Sequence, residues 1–177
     1  MSVARISLVL LLLLPIPAHA EALSPWSLSA GSAWARLGPA AHPTGGLMIA
    51  AAVIRAWPLS ERARIEAGGE LAMVGPDGGT RWIGLLGGPV ASLRGSPWAA
   101  PLEVGVSLHG LFGRLPVITA WGLPINYSGA YPGASAALRY QPSPRAALEL
   151  SGGALAINTL AYIGPAGWGG LNAVLAF

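Results

Sequence analysis

Leu102-Glu103-Val104-Gly105-Val106-Ser107-Leu108-His109 is the stretch whose reading decides the fold. Apolar Leu102, Val104, Val106 and Leu108 alternate with Glu103, Gly105, Ser107 and His109. A period of two belongs to an extended chain that sends successive side chains to opposite faces. The pattern recurs on both sides of this stretch. Ile65, Ala67, Gly69, Leu71 and Met73 interleave with Arg64, Glu66, Gly68, Glu70 and Ala72, and Leu148 and Leu150 with Glu149 and Ser151. Near the end, Leu171, Ala173, Leu175 and Phe177 interleave with Gly170, Asn172, Val174 and Ala176. One face is apolar and the other polar or small. A soluble sandwich shows the same period but turns its polar face to water, and here the charged face is too narrow and sparse for a solvated surface.

The composition gives the same direction. Hydrophobic residues make up 53% of the 177 and charged ones 10%, against roughly 45–50% and about 25% in a soluble average. The 25 glycines and 16 prolines oppose helix interiors. A spanning helix needs about 20 apolar residues, whereas Leu47–Ile54 is closed by Arg55. A closed barrel is the other way to satisfy a backbone in lipid. The chain has no cysteine, which excludes disulfides, a thiolate metal site and a lipidated cysteine. Every basic residue is Arg, and a scattered net charge of +3 is no nucleic-acid footprint. His42 and His109 share no ligand spacing, so no metal is expected. Gly45-Gly46 and Gly87-Gly88 lack the lysine and helix of a phosphate loop, so no cofactor is expected.

Residues 1–20 read as a cleaved signal peptide: Arg5, the apolar run Ile6–Leu14, and Ala18-His19-Ala20 as the cleavage site. Residues 21–177 then form one barrel domain outside the cytoplasm. Turn-forming clusters divide it into eight segments: Trp26–Leu37, Gly45–Trp57, Ala63–Met73, Thr80–Arg94, Leu102–Arg114, Pro132–Tyr140, Arg145–Asn158 and Trp168–Phe177. Each reaches the roughly 9–11 residues of a tilted membrane strand, and the number is even, as in bacterial barrels. The expected fold is a closed antiparallel up-and-down meander. Gly45–Trp57 and Thr80–Arg94 are apolar on both faces. Gly87-Gly88-Pro89 predicts a bulge or break in the latter and leaves its phase unreadable.

Aromatic residues collect near the segment ends. Trp26, Trp57, Trp98, Tyr140 and Phe177 fall at the expected periplasmic ends. Trp34, Trp82, Phe112 and Trp168 fall at the outer ends, with Trp121, Tyr127, Tyr131 and Tyr162 at or beyond them. These are girdle positions, where amphipathic rings suit the membrane interface. The short turns Pro58–Arg62 and Gln141–Pro144 and the long apolar loop 115–131 give the expected asymmetry of inner turns and outer loops. An apolar loop of this kind folds over the barrel mouth or meets an envelope partner.

The inward faces would carry Arg64, Glu66, Glu70, Glu103, Ser107, His109, Ser135, Arg139, Glu149 and Ser151. Eight strands leave a lumen just wide enough for side chains to fill, and buried charges must pair. Arg64, Glu66, Glu70, Glu103, Arg139 and Glu149 are therefore expected to form a lumen ion-pair network. Ser107, His109 and Glu103 share a face and are the residue types of a hydrolytic triad, although Glu103 lies roughly 20 Å from His109 along an extended strand.

With its signal segment, eight strands and final stretch Gly169-Gly170-Leu171-Asn172-Ala173-Val174-Leu175-Ala176-Phe177, the chain resembles the small eight-stranded outer membrane proteins of Gram-negative bacteria. The resemblance is architectural. It implies an outer membrane location, membrane lipid and lipopolysaccharide as surroundings, and a terminal Phe177 that resembles the signal read by the barrel assembly machinery. Some eight-stranded lipid A deacylases use His, Ser and Glu, but in a His-x-Ser order on the lipid side; here the order is Ser107-x-His109. The expected function is a non-enzymatic structural or interaction role with a plugged lumen. The alternatives are a narrow pore for ions or small solutes and a lipid A-modifying hydrolase.

Overall fold

The structure, a computed structural model, describes residues 25–37, 44–76, 83–97, 101–118, 124–158 and 163–177. The expected signal segment, His42, Trp82, Trp98, Trp121 and Tyr162 lie outside them. The described residues form eight strands: β1 (Trp26–Leu37), β2 (Thr44–Ser60), β3 (Ala63–Pro76), β4 (Gly84–Gly95), β5 (Leu102–Ile118), β6 (Pro124–Ser143), β7 (Ala146–Asn158) and β8 (Ile163–Ala176). Each pairs antiparallel with the next, and β8 returns to β1 to close the barrel. Closure leaves no unpaired edge, the condition for a sheet in lipid.

Two connections at the end carrying the termini are tight. Glu61-Arg62 joins β2 to β3 and Pro144-Arg145 joins β6 to β7, each beside a register shift. A hydroxyl supports each turn: Ser60 Oγ accepts from Arg62 N and Ser143 Oγ from Ala146 N. These turns lie at the terminal end of the barrel, opposite its loop end.

One expectation needs correction. The apolar stretch 115–131 is mostly strand rather than loop. β5 continues to Ile118 and β6 starts at Pro124, so the two form the longest hairpin of the barrel, paired from Leu102↔Tyr140 to Ile118↔Pro124. Its alternation continues the phase of β5 and β6, and Leu115 and Tyr131 are fully buried in the lumen. In β4 the Gly-Gly-Pro interruption is a local break without a bulge. Pairing with β5 stops after Gly87↔Phe112 and resumes at Val90↔His109 in the same register. Pro89 and Gly110 adjoin on the outer face, and Pro132 of β6 pairs with Gly110 from the other side. Neither proline can donate to the ladder, and the missing side chain of Gly110 leaves room for the Pro89 ring.

Because the register is preserved, the phase of β4 follows from its neighbours. Gly84, Leu86, Val90, Ser92 and Arg94 are buried, while Leu85, Pro89, Ala91 and Leu93 are exposed.

Candidate functional site

The exterior and the lumen are opposite in kind. Outward positions include Leu71 (64% exposed), Leu108 (69%), Leu150, Leu171 and Val106. Among the described strand residues the only outward charges are Arg36, Arg55 and Arg114, each close to a rim. Along β1, ten residues separate the level of Arg55, which pairs with Trp26, from that of Arg36. At about 3.4 Å per residue and a tilt of about 35–45°, this spans about 25 Å, the height of the apolar band of an outer membrane barrel. Such a continuous exposed apolar surface suits lipid, not water.

The girdle candidates divide. Trp26, Trp34, Trp57, Phe112, Tyr140 and Phe177 are exposed on the outer face near the rims. Trp168 departs from the expectation: its ring lies inside the barrel against the apolar cluster, edge-on to His109 with centroids 6.0 Å apart. The phase of β8 requires this, since Leu171, Ala173 and Leu175 point outward and the even positions inward. The register partner of Trp168 on β7 is Gly153. Tyr131 also points inward, and its hydroxyl donates to the carbonyl of Tyr127 at 2.7 Å.

The lumen has three levels. Toward the loop end, Met48, Val74, Leu86, Leu111, Leu115, Tyr131, Leu155 and Ile157 pack into one buried apolar layer. Below it lies a polar level around a cavity of about 80 Å3, lined by Ser92, Ser107, His109, Ser135, Glu70 and Asn172 among others. Toward the terminal end lies an ionic layer of three arginines and three glutamates.

Glu66 is the hub of that layer. Its Oε1 accepts from Arg64 Nε at 2.8 Å and from Arg139 Nη1 at 3.1 Å, and its Oε2 accepts from Arg94 Nε. Glu149 Oε2 accepts from Arg94 Nη2 at 2.8 Å and from Arg139 Nη2 at 2.9 Å. Arg64 makes a two-pronged contact with Glu103, Nη2 to Oε2 at 2.6 Å and Nη1 to Oε1. Arg64 and Arg94 face each other in register across β3 and β4, a like-charge pair that is unfavourable alone and is offset by Glu66. Three charges of each sign make the layer neutral, which is how buried ions become tolerable. All six come from β3 to β7; the described inward positions of β1, β2 and β8 carry no charge.

Five of the six residues expected in the network, Arg64, Glu66, Glu103, Arg139 and Glu149, meet there. Glu70 does not reach it and pairs with His109 instead. The member that sequence reasoning missed is Arg94, hidden because Pro89 obscured the phase of β4. Charge balance was the available signal: four inward glutamates against two arginines require another cation. Gly105, across the β4–β5 pair from Arg94, makes room for it, since a Cβ there would stand 3.0 Å from Arg94 Nη1.

Glu103, Ser107 and His109 are not brought together. Glu103 is held by Arg64, and Ser107 Oγ lies 2.8 Å from Ser92 Oγ. His109 joins other partners: Nδ1 is 2.6 Å from Glu70 Oε1 and Nε2 is 2.8 Å from Ser135 Oγ. This Ser–His–Glu relay has the hydrogen bonding of a hydrolytic triad. It lies between the apolar and ionic layers, where the small cavity offers no room for an acyl substrate. Among the described residues no cluster could hold a metal.

Fold and exterior together define a small eight-stranded β-barrel of the outer membrane type. No protein-family profile matches the sequence, and no curated protein matches it either. Solved structures do. The chain is similar to Neisserial surface protein A, with a TM-score of 0.63 at 13% identity, covering 89% of this chain and 100% of that one. It is also similar to the N-terminal β-barrel domain of Pseudomonas aeruginosa OprF, with a TM-score of 0.50 at 12% identity, covering 85% and 97%. At these identities the likeness is one of fold: the chain has the architecture of the small outer membrane barrels.

Proposed function

We propose that this protein, after loss of residues 1–20, resides in the bacterial outer membrane as a non-conducting, non-catalytic barrel. Its role is structural, or the presentation of its loop end to a partner. The observation that carries the reading is the doubly filled lumen. Val74, Leu86, Leu115, Tyr131 and Ile157 are each less than 2% exposed, and a neutral ionic layer lies below them. An ion crossing the lumen would have to part both. The long β5–β6 hairpin offers the natural contact surface for an envelope partner. Phe177 and the alternating β8 are the features the barrel assembly machinery would engage during biogenesis, with the terminal end facing the periplasm.

Planar-bilayer recording of the purified protein tests this. The expected trace is flat; single-channel steps that change on charge reversal of Glu70 would replace the plug by a pore. Mass spectrometry of lipid A from cells with and without the protein tests the hydrolase alternative, to which the His109 relay lends its one supporting observation. Unchanged acyl chains are expected. Deacylation lost with His109→Ala would overturn the non-catalytic reading.

A further inference from the structure

Arg55 is exposed on the outer face of β2 at the terminal end. Its guanidinium carbon lies 5.3 Å from the Trp57 ring centroid and 5.6 Å from that of Trp26. The arrangement follows from the register: Trp26 is directly across on β1, and Trp57 is two residues along the same strand face. Both distances are within the range of cation–π attraction. No carboxylate among the described residues pairs with Arg55; all seven ion pairs belong to lumen groups. On the β3 side its register partner is Ala67, with Gly69 and Ile65 next on the same face, so no charged group stands on that flank.

An arginine on the lipid face is unfavourable by about 2–4 kcal/mol at the bilayer midplane and by about 0–1 kcal/mol at the interface. Arg55 therefore stands at headgroup depth, as the band height also places it. Rings held against the guanidinium restrain it while its N–H groups remain free to donate in the plane, the geometry that suits a phosphate. We propose that Arg55, clamped by Trp26 and Trp57, binds the phosphate of an anionic phospholipid headgroup at the rim that carries the termini. The inference rests on the membrane reading above but not on the plug.

Native mass spectrometry of the folded barrel, released from a phosphate-free detergent with phosphatidylglycerol added at low ratio, tests it. One phosphatidylglycerol should remain bound, in preference to phosphatidylcholine and to uncharged diacylglycerol. Arg55→Gln should reduce retention about tenfold and Arg55→Lys by less, since lysine keeps the charge but loses the planar fork. Arg36→Gln, at the other rim, should change nothing. Retention by Arg55→Gln equal to the parent, or equal retention of diacylglycerol by the parent, would overturn the proposal. Displacement of the lipid by millimolar inorganic phosphate would overturn the lipid as occupant in favour of the bare anion. If Arg55→Gln fails to fold, as judged by gel mobility before and after boiling, the parent's lipid preference and the lysine variant decide. Failure of the parent itself to enter a bilayer would instead refute the membrane reading.

Discussion

Glu66 receives three arginines, so its loss should cost more than that of any other lumen residue. In Glu66→Gln the ionic layer retains three cations against two anions. Breaking a buried pair in this way costs about 3–5 kcal/mol, which urea unfolding of the vesicle-inserted barrel would reveal as a lowered midpoint. Removing Arg94 as well, in Glu66→Met with Arg94→Met, leaves Arg64 on Glu103 and Arg139 on Glu149. The double variant should be more stable than Glu66→Gln alone; equal instability would show that Glu66 acts through something other than charge balance. Single residues also show what could be read beforehand. Arg64, Glu66, Glu103, Arg139 and Glu149 were legible because each sits in an unbroken alternation. Arg94 was not, because a proline hid its phase. Trp168 was misread as a girdle residue because nearness to a strand end outweighed a parity already visible in Leu171, Ala173 and Leu175.

At the scale of the strand, β1 was legible at both boundaries, since turn-forming residues flank it directly. β5 and β6 were shortened because an uncharged stretch containing Pro116 and Pro124 reads as loop; long-range pairing between the two strands overrides that local signal. The β4–β5 seam should be the weakest pairing on the β5 side. The amide of Gly110, whose backbone faces β4, should exchange with deuterium at least about tenfold faster than those of Val106 and Leu108, which face the same neighbour, because the ladder with β4 is interrupted there. Uniform protection along β5 would contradict the break. Close by, Gly113 has φ +147°, and a Cβ there would stand 2.0 Å from the carbonyl oxygen of Leu85. Gly113→Val should therefore force β4 and β5 apart, and less of the protein should run in the SDS-resistant folded form on unboiled gels.

For the molecule as a whole, the two lumen layers should act in series. Leu115→Ala combined with Tyr131→Ala opens the apolar layer but leaves the ionic one, and the bilayer trace should remain flat. The reverse change, replacing all six ionic residues with serine, should leave the apolar layer closed. Conductance steps are expected only when both sets are changed; steps from either set alone would show that one layer carries the whole barrier. Barrel class was legible at this scale because composition and period both exclude helices. The stratification of the lumen was not, because it depends on the registers that stack residues from different strands at one level.

The confinement of all six ions to an arc from β3 to β7 bears on how the ring closes. The meeting line of β1 and β8 is lined inside by uncharged residues, Ser27, Ser29, Gly31, Gly170 and Asn172 together with Trp168 and Val174. The arc can neutralise itself while the first and last strands are still apart. The final join then zips together over neutral groups, with no ion left to strip of water at the moment of closure.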